Sequence, residues 1–166
     1  MDYIDFMTRT SLDHHNCSFA RTVDIIGDRW TLMILRDAFY GVRRFSQFKE
    51  RLGITQAVLS ARLAHLVDYD MLTKEPIEEG ATREDYRLTE KGMSLFPVII
   101  GLMQWGDAWI HEKTGAPILV CDKENGTPVD PLKVSVKDES REPRSLAFRL
   151  GPGANAATKD AFARLK

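Results

Sequence analysis

Apolar positions between residues 45 and 88 recur first at helical spacing and then in short extended runs, and the change of period outlines a small compact unit. Phe45, Phe48 and Leu52 lie on one helical face and predict a short helix. Gly53 and Ile54 interrupt it, and Thr55 is placed to cap a second helix, because its hydroxyl can accept a backbone N–H that the first turn leaves unpaired. Along that second helix Leu59, Leu63, Leu66 and Val67 form a single apolar stripe. The other side carries Ala57, Ser60, Ala61, Ala64 and His65, small or short polar groups where a solvated face would have Glu and Lys. A helix faced with small side chains can approach a flat partner closely. With Thr55 and Gln56 at its leading end, that face suits the major groove of DNA.

Residues 73–76 and 84–88 then read as two strands around a Gly-containing loop, after which Thr89 restarts a helix. Two helices followed by such a hairpin predict a winged helix-turn-helix, with Arg83 near the wing tip and Arg87 on the returning strand set to meet phosphates. Upstream, residues 1–15 form an irregular N-terminal arm. Asn16 is placed to cap a helix that ends near Gly27, and Asp28 a second helix through Ile34, Leu35 and Ala38; Arg43 and Arg44 lie in the loop that leads into the motif. Downstream, residues 89–113 are helical and apolar on more than one face, with Pro97 marking a kink or break. Such a helix has more apolar surface than its own core can cover. Phe96, Ile99, Ile100, Met103, Trp105 and Trp109 are therefore expected at a homodimer interface. Beyond it, residues 114–166 read as a β-rich extension with strands at 118–121, 132–136 and 146–150, the first pair joined near Asn125 and Gly126. The fold expected is mainly α with a small β wing: a winged helix-turn-helix domain over residues 16–113 plus the C-terminal extension.

Composition narrows the function. With 166 residues and 43% hydrophobic content, the chain suffices for one well-buried domain and an appendage. The formal charge of −1 argues against a non-specific nucleic-acid binder, so phosphate contacts must come from a few cations on one face. Arg43, Arg44, Lys49, Arg62, Arg83 and Arg87 supply them in or beside the motif, against the acids Glu78, Glu79, Glu84 and Asp85 in the wing. The start of the chain lacks a signal-peptide pattern and no run is long and apolar enough for a membrane span, so a cytoplasmic protein with no membrane partner is expected. Two cysteines, Cys17 and Cys121, fit a reducing compartment. No phosphate loop, metal-ligand cluster or nucleophile with a base at recognisable spacing is present, which points away from an enzyme, a metal site or a cofactor. Gly151-Pro152-Gly153 reads as a turn.

In order and spacing, Cys17-Ser18, Gly27-Asp28-Arg29-Trp30-Thr31-Leu32, Gly41-Val42-Arg43-Arg44-Phe45, Gly53-Ile54 with Val58-Leu59-Ser60 and Arg62-Leu63, Tyr86-Arg87-Leu88-Thr89-Glu90-Lys91-Gly92 and Trp105-Gly106 form a set. On these residues the chain, over about 16–112, resembles the HxlR-type transcriptional regulators, winged-helix proteins related to the MarR group. The resemblance implies a homodimer that binds double-stranded DNA, most often as a repressor, with recognition helices in successive major grooves. It places Thr55, Gln56, Ala57, Ser60 and Ala61 at the bases and Arg43, Arg44, Arg83 and Arg87 at phosphates, with Arg62 and His65 on the same helix. Many members carry longer polar side chains where this chain has Ala57 and Ala64, which implies fewer base hydrogen bonds and more methyl contacts with thymine. Some members sense oxidants or electrophiles through a cysteine at the position of Cys17, so an electrophile or small-molecule effector is a second expectation. Others carry a zinc ribbon where this chain keeps Cys121 alone, too few ligands for the metal. Two further readings stay open: a redox- or ligand-sensing protein of this fold with weak or lost DNA binding, and a binding module that uses the C-terminal extension.

Overall fold

The computed structural model describes residues 11–77 and 84–165. Helix α1 spans Ser18–Ile26, and its N-cap position is Cys17 rather than Asn16. The Asn16 side chain is committed elsewhere: its Oδ1 accepts the Asn155 N–H (3.2 Å) and the Thr158 hydroxyl (2.8 Å) at the start of the final helix. Helix α2, Arg29–Phe39, begins as expected at Asp28, whose carboxylate accepts the N–H groups of Trp30 and Thr31.

Helix α3 covers Phe45–Leu52 and stops at Gly53, which takes a left-handed φ of 63° that a side chain would disfavour. The turn is short. Helix α4 then runs Gln56–Asp68 from a Thr55 cap whose hydroxyl accepts the Val58 N–H. Strands β1 (Leu72–Pro76) and β2 (Glu84–Leu88) pair antiparallel with Leu72 opposite Leu88. The β2 edge is held to the body by the Tyr86 N–H, which donates to the Arg43 carbonyl at 2.8 Å.

The expected helix of residues 89–113 is divided. Thr89 caps a single turn, α5 (Glu90–Met93), and α6 (Phe96–Trp109) begins with Pro97 in its first turn, where a missing N–H costs nothing. Ile34, Leu35, Phe48, Leu59, Leu63, Leu66 and Leu72 are fully or almost fully buried and, with Ile99, tie α2, α3, α4, β1 and α6 into one core. At about 1.5–3 kcal/mol for each buried side chain of this size, this cluster is the main favourable term in folding.

The extension differs from expectation in detail. Its β structure is confined to an isolated bridge between Cys121 and Pro128 and a two-residue ladder of β3 (Ser135–Val136) with β4 (Glu139–Ser140). Residues 146–150 form no strand, since no neighbouring strand lies beside them to complete a ladder, and α7 (Ala156–Ala163), capped by Asn155, follows. The alternation that suggested longer strands does not reflect a buried face: none of residues 111–165 is buried. Polar contacts dock the extension instead. Gln104 on α6 donates to the Asp130 carbonyl and accepts the Leu132 N–H, and the contacts of Asn16 hold α7 against the start of α1.

Gly92 is the tightest point of the wing's base. A Cβ there would overlap the Met71 carbonyl oxygen and press on Leu88. Gly92→Ala should therefore lower stability by about 1–3 kcal/mol, read as an earlier urea midpoint with the slope unchanged.

Candidate nucleic-acid interface

Because Leu59, Leu63 and Leu66 are drawn fully into the core, α4 must turn its opposite side outward. On that side Thr55, Gln56, Ala57, Ser60 and Ala64 are exposed, with Ala61 partly so. The described residues thus bring together, on one uncovered surface, the five positions expected to approach bases. Next to it lies the loop before α3. Arg44 occupies the α3 N-cap, exposed and 3.8 Å from Asp85 of β2, while Arg43 is half-buried and spends its carbonyl on Tyr86.

Other expected contacts lie differently. Arg62 and His65, anticipated at the DNA, both turn inward: Arg62 pairs with Asp28 at 3.0 Å, and His65 Nε2–H donates to the Ile25 carbonyl at 2.8 Å. The reason is angular, since both positions border the apolar stripe and the first two helices meet there. Arg87 is drawn along the hairpin by Glu75 at 2.7 Å and Asp85 at 3.9 Å, so any phosphate must compete with those carboxylates. Arg83 lies outside the described residues.

On α6 the expected interface residues divide. Ile99 and Ile100 are buried within this chain and are unavailable to a partner. Phe96 packs on Phe39 with ring centroids 5.1 Å apart and the rings tilted by 57°, and Met103 is partly buried against the core with its sulfur 3.8 Å from the Tyr40 hydroxyl. Trp105 and Trp109 are 61% and 75% exposed, and Leu102 and Ile110 join them on the outward face. Cys17 is exposed at the head of α1. Among the described residues there is no group of three or more metal-ligating side chains and no helix long and apolar enough to cross a membrane.

A second network escaped the sequence reading. Asp37 of α2 is fully buried and accepts from Arg36 and, at 3.2 Å, from Arg51 of α3, fastening the first helix of the motif to the body. An acid fourteen residues from its second arginine gives no local signal.

With this geometry in place, the HxlR-like helix-turn-helix family matches residues 25–114, more than half of the chain. The chain belongs to that family. Some relatives match more of the chain than the family model does. An HTH-type transcriptional regulator of Mycobacterium tuberculosis is 40% identical over 140 residues, 84% of this chain and 89% of the relative. A crystal structure of PA1607, a candidate transcription factor, superposes with a TM-score of 0.78 at 33% identity and covers 84% of this chain and 99% of the other. The redox regulator HypR in its oxidised form matches 55% of this chain and 96% of its own, with a TM-score of 0.51 and 28% identity. This HxlR-family chain is thus a transcriptional regulator with a winged helix-turn-helix DNA-binding domain.

Proposed function

We propose that this regulator works in the cytoplasm as a homodimer and represses transcription by occupying an operator with two half-sites about 34 Å apart, or a multiple of that. The observation that carries this reading is the small-residue face of α4, left uncovered by every other described part of the chain. Thr55, Gln56, Ala57, Ser60 and Ala61 approach base edges, through methyl contacts and few hydrogen bonds. Arg43, Arg44, Arg87 and the wing-tip Arg83 face flanking phosphates and set the register. Pairing uses the outward face of α6 around Trp105 and Trp109, an apolar surface that a second copy would remove from water. Residues 16–113 are the functional unit and 114–166 an appendage to it.

A second reading concerns control. Cys17 is exposed at the N-terminal end of α1, where a helix favours negative charge, and similarity to the redox regulator HypR supports an oxidant or electrophile as the signal.

Three measurements test these statements. Affinity for the DNA upstream of the protein's own gene should fall steeply with salt, and Arg43→Ala should flatten the slope of log affinity against log salt by about one. Binding that ignores salt would remove the phosphate contacts. By sedimentation, Trp105→Glu should shift the mass toward monomer, because a carboxylate would be buried unpaired in the apolar contact; a folded dimeric variant would put the interface elsewhere. Cys17→Ser should leave DNA binding intact but abolish its response to a mild electrophile such as a quinone, and an unchanged response would exclude the thiol.

A further inference from the structure

Arg62 and His65 flank the apolar stripe of α4 and turn back onto the corner where α1 ends and α2 begins. The Arg62 guanidinium lies 3.0 Å from Asp28 Oδ2, with the two side chains only 21% and 19% exposed. Asp28 Oδ1 is already engaged with the N–H groups of Trp30 and Thr31, so one carboxylate both starts α2 and grips α4. One turn further along α4, His65 reaches the Ile25 carbonyl, one of the last four of α1 that have no partner within their own helix. Both contacts hold the middle and rear of α4. Its leading end, from Thr55 to Ser60, projects beyond them.

Burial of Leu59, Leu63 and Leu66 fixes which side of α4 faces outward, but apolar attraction is non-directional and leaves the fine rotation about the helix axis to directional contacts. A charge-assisted hydrogen bond is directional. With side chains reaching about 5 Å from the axis, a rotation of about 20° moves the outer groups by about 2 Å. A shift of that size breaks a hydrogen bond to a base edge.

We propose that Asp28 and Arg62, with His65 beside them, are positioning residues that set the rotation of α4 for base reading, and that Arg62 does not neutralise a phosphate. The inference rests on α4 entering the major groove.

The experiment uses the full chain, a duplex that the wild-type protein selects from a randomised pool, and a non-specific poly(dI-dC) duplex. Asp28→Asn keeps an N-cap acceptor but removes the charge, whereas Arg62→Met keeps the stem and removes the guanidinium. Each single variant should bind the selected duplex on the order of tenfold more weakly, and the double variant should be no worse than either single. Binding to poly(dI-dC) and the salt slope should not change, and Arg62→Lys should recover much of the loss. Arg62→Met weakening both duplexes alike and lowering the salt slope by about one, with Asp28→Asn harmless or tightening, would make Arg62 a phosphate contact and overturn the proposal. If the wild type selects no duplex, the DNA-reading function itself fails. The grip is then judged by amide exchange alone: faster exchange across α4 with α2 unchanged in Asp28→Asn supports it, and equal exchange overturns it.

Discussion

The burial of one leucine stripe governs this molecule. Leu59, Leu63 and Leu66 are removed from water against α2, α3 and β1, and a helix that buries one side that completely has its other side presented by geometry rather than by any contact there. The proposed reading of DNA depends on that division. The exposed side carries small side chains, Ala57, Ser60 and Ala64 among them, which would let a flat partner approach the backbone closely.

Around this stripe the polar contacts act as fasteners between helices. Asp37 joins α2 to α3 through Arg51, Asp28 joins α2 to α4 through Arg62, and the Ile25 carbonyl joins α1 to α4 through His65. Each uses a group that is partly or wholly withdrawn from solvent, where leaving one partner alone is costly and the geometry is correspondingly well defined. In the α3 loop and on β2, Asp85 lies near both Arg44 and Arg87. A chain of net charge −1 therefore keeps its positive field local, which favours selective contact over general adhesion.

The extension is built on a different principle. Among its described residues none is buried, yet it is tied to α6 at Gln104 and to the head of α1 at Asn16, so it bridges α6 and α1. Several of its apolar residues, Phe148 and Leu119 among them, are exposed.

The helix-turn-helix, its caps at Asp28, Thr55 and Thr89, the hairpin and the break at Pro97 were legible in the sequence because each rests on local chemistry: a periodic stripe, a side-chain oxygen at a helix start, a ring without an N–H. The small face of α4 was legible for the same reason. The roles of Arg62, His65, Ile99 and Ile100 were not, since a residue at the border of a stripe faces solvent or protein according to what packs beside it. In the extension, local pattern suggested longer strands than form, and residues 146–150 have no neighbour to pair with, while Asn16 found its partner 142 residues away in Thr158. Local pattern determined which elements exist. Only the packing of distant segments decided which side chains at their edges hold the protein together and which stay exposed.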